Sequence, residues 1–169
     1  MFVRRLRGFA YSCSLLAAAA CASAPPPPSR PSPLLSHSLP GFEGDTLSHN
    51  HFYSAQGTNH PMIVHFFSSD CADCPRTLST AQSFYASHSD TIVVGISEDA
   101  SPTHARILIE RLGVHFPVVI DENGHIAHDY QVTEMPALFV ISPYGRVSWA
   151  GGADVTEDAL RSAVALAQK

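Results

Sequence analysis

The sequence has no run of about 20 apolar residues, the length a helix needs to cross a bilayer. Positive charge is scarce too. Lysine and arginine total 10 against 15 aspartates and glutamates, for a net charge of −5. An acidic balance argues against a nucleic-acid partner. Cysteine is sparse at four residues, which excludes a small scaffold stapled by several long-range disulfides. There is no internal repeat, so no solenoid or array. At 169 residues the chain has room for one domain of ordinary size with a real core.

The N-terminus reads as a secretory signal. Arg4, Arg5 and Arg7 form a positive region, and Gly8 to Ala20 an apolar stretch too short to span a membrane. Ala18-Ala19-Ala20-Cys21 resembles a bacterial lipobox, in which Cys21 becomes the lipidated first residue and anchors the protein to an envelope membrane. The rival is cleavage after Ala22-Ser23-Ala24, where Pro25 follows in a poor context for a peptidase. Residues 1–20 are thus expected to be removed, taking three arginines and Cys13 and moving the net charge from −5 to −8. Residues 21–37 then hold Pro25, Pro26, Pro27, Pro28, Pro31 and Pro33. They read either as a semi-rigid spacer or as a segment without a specific task. The expected domain is 38–169.

What remains of the cysteine is Cys71-Ala72-Asp73-Cys74. Before it, residues 61–67 read as an apolar strand that opens on a proline. After it, Leu78, Ala81, Phe84 and Tyr85 are spaced by threes and fours and predict a helix over 72–87. A strand, a short loop and a helix opening on C-x-x-C is the pattern of a thioredoxin-like redox motif. Two thiols at that spacing can close a bridge across the first helical turn, and free N–H groups at the helix tip stabilise a thiolate. Cys71 is expected to be the attacking thiolate and Cys74, one turn inside, the resolving thiol. A structural bridge closing so short a loop would stabilise little.

Further along, residues 91–97 form a β-branched run without alternation, as in a strand buried on both faces. Ser101-Pro102 opens a helix carrying Ile107, Leu108 and Leu112 before Gly113. Residues 115–120 are strand-like, and residues 121–124 a turn. Residues 137–141 and 146–149 flank Pro143-Tyr144-Gly145 as a hairpin, and a helix closes the chain over 155–167. Phe42 and Leu47 bracket a further short hairpin or bend. This order predicts an α/β sandwich with a mixed sheet.

Over about residues 38–168 the chain resembles the TlpA/ResA type of exported, membrane-tethered thiol–disulfide oxidoreductases, within the AhpC/TSA–redoxin superfamily. The resemblance rests on residues 64–74, 93–97, 116–121 and 135–141. It implies a thioredoxin-like three-layer α/β/α sandwich with a mixed central sheet. It also implies a cis peptide at Met135-Pro136 facing the cysteines, whose exposed backbone pairs with a substrate peptide. The partners it implies are protein thiols and disulfides and an unidentified dithiol electron donor, with export to the periplasm. No cofactor and no metal are expected. The chain departs from the family pattern at Asp70 for tryptophan, Thr77 for glutamate and Ser79 for proline.

Asp70 and Asp73 oppose a thiolate on Cys71, which points to a reductant or mild exchanger. His65 takes the position of a buried aspartate or asparagine in relatives. It is a candidate proton relay to Cys74, against the alternative of a satisfied core histidine. His49 with His51, and His125 with His128, have ligand-like spacing, but no second C-x-x-C accompanies the first. Two other classes stay open. A peroxiredoxin-like peroxidase would match Ser68, but Val64 stands where a proline is wanted and no arginine has a counterpart. A tethered binding module would keep only a vestigial disulfide.

Overall fold

The computed structural model describes residues 30–169. The expected signal segment, Cys21 and the first four prolines of the spacer lie outside the described residues. The elements are β1 (Glu43–Asp45), β2 (His51–Tyr53), β3 (Met62–Phe67), α1 (Cys74–Ser87), β4 (Ile92–Ser97), α2 (Pro102–Leu112), β5 (Val118–Ile120), α3 (His125–Asp129), β6 (Ala137–Ile141), β7 (Val147–Gly151) and α4 (Glu157–Ala167).

Five strands form one mixed sheet in the order β5-β4-β3-β6-β7. β3 runs parallel to β4 and β4 to β5, while β6 is antiparallel to both β3 and β7. β3 sits in the middle with every residue buried, as its unbroken apolar run requires. Its residues alternate between two cores. Ile63 and Phe67 pack with Leu78, Ala81 and Phe84 of α1, Ala105 and Leu108 of α2, and Leu160 and Val164 of α4. Met62, Val64 and Phe66 face the other way, onto Phe42, Phe52, Ile126, Tyr130 and Phe139. Burying each such aromatic contributes roughly 1.5–3 kcal/mol. Gly95 lies opposite His65, where a Cβ would come within 3.1 Å of both Phe67 and Val118. Glycine there lets the two neighbouring side chains close over β4.

The helices start and stop where local chemistry says. The Ser101 hydroxyl accepts from the Thr103 N–H, Pro102 fills the first turn, and Gly113 ends α2 at φ 64°. The Thr156 hydroxyl accepts from the Ala159 N–H, and Glu157 and Asp158 occupy the positive end of α4.

Three features differ from the sequence expectation. α1 begins at Cys74 instead of residue 72, because Pro75 belongs in the first turn. The five-residue α3 follows the turn at 121–124, burying Ile126 and Ala127. Residues 30–37, expected as spacer, pack against the sheet: Leu34 is buried, and Arg30 N–H and Ser36 N–H donate to the carbonyls of Ala150 and Val147. Burial of Leu34 and pairing with β7 outweigh the proline content there.

Candidate redox site

The C-terminal ends of β3 and β4 and the start of β6 meet at one end of the sheet, since Phe67 pairs with Ser97 and Phe66 with Ala137. The loop after β3 carries Cys71 to the tip of α1. Cys71 and Cys74 are joined as a disulfide with Cα atoms 5.4 Å apart. Cys74 is wholly buried and Cys71 partly exposed. The two residues thus differ in exposure.

The helix tip is a weaker thiolate site than the motif alone implies. Asp73 stands at the N-cap without a side-chain capping bond, Pro75 brings no N–H, and the Cys74 N–H donates to the Cys71 carbonyl at 3.3 Å. Beside Cys71, the Ser68 hydroxyl donates to Asp70 Oδ1 at 2.6 Å. That bond, with the residue's own N–H, holds the Asp70 carboxyl below the ordinary range. A negative charge therefore flanks Cys71 at neutral pH.

The Met135–Pro136 bond is cis, and Pro136 is buried. Met135 packs against the same core cluster as Cys71 and Cys74. The structure thus gathers Cys71, Cys74, Met135 and Pro136 at one end of the sheet. His65 lies beneath them, fully buried. Burial pushes its pKa down to about 3, so the imidazole is neutral. Its Nε2 lies 3.1 Å from Thr77 Oγ1, and the Thr77 hydroxyl donates to the Cys74 carbonyl at 3.2 Å. With that proton committed, Nε2–H donates to Thr77, and Nδ1 is left buried without a partner. The path from His65 thus runs through Thr77 to the backbone of Cys74. The Thr77 hydroxyl thus serves both neighbours.

Two acidic residues escaped the sequence reading. Asp99, just past β4 and buried, accepts from Ser69 and Ser97. Glu98 is half-buried; burial first, and the Asp121 charge second, raise its pKa to about 7. Both line a groove of about 670 Å³ with Ser69, Asp70, Ile107 and Arg111. In sequence they look like ordinary solvated loop acids. The only hint is that they follow a strand parallel to the one feeding Cys71.

Three of the four histidines at ligand-like spacing lie against carboxylates. His51 Nδ1 lies 2.7 Å from Asp45 Oδ1, His125 Nδ1 3.1 Å from Asp121 Oδ1, and His128 Nδ1 3.4 Å from Asp129 Oδ1. Among the described residues no group of three or more histidine, cysteine or acidic side chains is placed to hold a metal ion. Among the same residues no helix is long and apolar enough to cross a membrane.

The profile of the AhpC/TSA family matches residues 35–150. The chain is 29% identical over 90 residues to sporulation thiol-disulfide oxidoreductase A of Bacillus subtilis, covering 50% of this chain and 54% of that protein. It is 26% identical over 90 residues to the thiol-disulfide oxidoreductase ResA of the same organism, covering 51% and 49%. The chain thus spans about half the length of the curated relatives it matches. Among solved structures, a secreted disulfide oxidoreductase of Mycobacterium tuberculosis superposes with a TM-score of 0.68 at 23% identity, covering 74% of this chain and 95% of that one. The fold is the thioredoxin-like one.

Proposed function

The chain belongs to the AhpC/TSA family, and from that premise we propose that it is an exported thiol–disulfide oxidoreductase acting on protein disulfides. One observation carries the reading: a partly exposed Cys71 bonded to a buried Cys74 at a helix tip, at the sheet end where Met135–Pro136 lies. In the reduced protein, the Cys71 thiolate attacks a partner disulfide. A Cys71–partner bond forms, and the partner's other sulfur leaves as a thiolate. The Cys74 thiolate then attacks the Cys71 sulfur, closes the internal bridge and expels the second partner thiolate. The partner gains two electrons and the cysteine pair loses two. A dithiol donor running the same steps in reverse restores the pair.

Asp70, ionised beside Cys71, and the scarcity of free N–H groups at the α1 tip both leave the thiolate poorly stabilised. They support a reductant or mild exchanger over a strong oxidant. The backbone of Met135 and Pro136 is the edge a substrate peptide pairs with. His65 is the candidate proton relay for Cys74, and because its bonded path through Thr77 ends on the Cys74 carbonyl the role needs the imidazole to act on the reduced thiol; unchanged exchange rates from acid to neutral pH in His65→Asn would remove it. The domain layout is a signal over 1–20, a lipid anchor at Cys21 and a spacer leading to the domain. On this layout the site works in the periplasm.

The test is trapping. A Cys74→Ser variant holds its partners as mixed disulfides through Cys71, while Cys71→Ser holds none. Insulin-disulfide reduction by the wild type, lost in both variants, is the expected result. Steady peroxide consumption without disulfide reduction would overturn the reading in favour of a peroxidase. A cellular role intact in Cys71→Ser would overturn it in favour of a binding module.

A further inference from the structure

β3 and β4 run side by side up to the pair Phe67 and Ser97, and the ladder ends where the Glu98 N–H donates to the Phe67 carbonyl at 3.0 Å. Past that point the two chains part, one toward Cys71 and α1, the other toward α2. The next donor on the Cys71 side, the Ser69 N–H, has no strand to pair with. Asp99 takes it. Its carboxylate lies 3.0 and 3.2 Å from the Ser69 nitrogen and 2.5 Å from the Ser69 hydroxyl. The Ser97 hydroxyl donates to its other oxygen at 2.9 Å and itself accepts from the Asp99 N–H at 3.2 Å.

The side chain is thus fixed from its own strand and grips the neighbouring loop. It is 6% exposed, and charge-assisted bonds of this kind are the strong ones. The remaining hydrogen bonds of residues 68–72 stay within the loop and the helix it feeds: Ser68 to Asp70, Cys71 to Ser68 and Cys74 to Cys71. Among the described residues Asp99 is therefore the side chain that ties the loop bearing Cys71 to the sheet by hydrogen bonds.

We propose that Asp99 is a positioning residue for disulfide exchange: through Ser69 it holds Cys71 within reach of the fixed Cys74. This rests on the oxidoreductase reading above. Cys74 belongs to a helix packed in the core, so its sulfur has a set place. Cys71 belongs to a loop, and its place is as good as the loop's anchorage. Holding two reacting groups together raises their effective concentration. The clamp thus speeds resolution of the mixed disulfide by Cys74 and favours the closed bridge over the open dithiol.

The test equilibrates the protein with glutathione and, in parallel, follows the rate at which the pair closes after reduction. Asp99→Asn keeps the volume but sets an amide among groups that donate. It is expected to make the bridge about tenfold easier to reduce and to slow closure by a similar factor. Because that variant also removes a charge, Ser69→Ala is measured beside it. It loses one bond of the clamp and no charge, and it is expected to shift both readouts in the same direction by a few-fold. Ser87→Ala, whose hydroxyl donates to the Ser83 carbonyl at the far end of α1, is expected to leave the closure rate unchanged.

If Asp99→Asn and Ser69→Ala lower the thermal midpoint but leave equilibrium and closure rate at the wild-type values, Asp99 is structural only and the proposal falls. If Asp99→Asn does not fold, Ser69→Ala decides the matter alone. If the wild type exchanges no disulfide with glutathione or insulin, the oxidoreductase reading itself falls and takes this proposal with it.

Discussion

The two faces of the central sheet are built from the same strand yet for different purposes. On the face under α1, α2 and α4, the core of Ile63, Phe67, Leu78 and Phe84 is interrupted by buried polar groups, His65 and Thr77, directly behind Cys74. On the other face, Phe66 lies 5.0 Å from Tyr130 and 5.9 Å from Phe139, and Phe42 joins the same aromatic group 6.0 Å from Tyr130. Among the described residues that face is covered by the short α3, the β1–β2 hairpin and the segment before β1. Polar groups are tolerated where the chemistry is, and aromatic packing on the opposite side compensates for their cost. One strand serves both because its side chains alternate.

The division can be broken most forcefully at Phe66. Phe66→Ala is expected to lower the unfolding free energy by about 3–5 kcal/mol, read from denaturant midpoints. The disulfide-exchange rate of the molecules still folded should match the wild type. A matching loss of exchange rate below the unfolding transition would mean that the faces are not separable.

A smaller effect is expected at His65. Its folded pKa of about 3 lies below the ordinary 6.5, so the unfolded chain binds the proton more tightly. The stability that comes from keeping it neutral is complete above pH 6.5 and is lost as pH falls toward 3. The stability of the wild type relative to His65→Asn should therefore shrink on acidification, by at most about 1.4 kcal/mol per pH unit. Parallel pH curves for the two proteins would show that the imidazole takes a proton without cost.

The smallest effect belongs to Tyr130, 1% exposed, whose buried hydroxyl finds no partner on the aromatic face; burial raises its pKa. Tyr130→Phe is expected to change stability by no more than about 1 kcal/mol, in the stabilising direction. A clear loss would mean that this face, too, depends on a polar contact.

Much of this arrangement is legible in the sequence where the signal is local. The unbroken run at 61–67, the C-x-x-C that follows it and the Pro143-Tyr144-Gly145 turn each declare their structure within a few residues. Alternation along β3 places His65 and Phe67 on one face, and their rings lie 6.0 Å apart there. What stays hidden depends on distance in the chain or on brevity. Asp99 meets Ser69 across 30 residues, and no window of sequence contains both. α3 is too short for its Ile126 and Ala127 to establish a helical period. Leu34 sits among prolines, so its burial follows only from the surface that β6 and β7 offer it. Pro75 was visible, but its effect on the supply of amide donors becomes evident only with the helix start in place.

Both margins of the sheet are occupied. Residues 36–39 bond along β7, with Leu39 N–H reaching the Gly145 carbonyl, and Leu47 N–H reaches the Val118 carbonyl on β5. Among the described residues, backbone bonds thus cover part of each outer strand. The rim where the strands stop lies apart from both covered margins, and Cys71 stays partly exposed there.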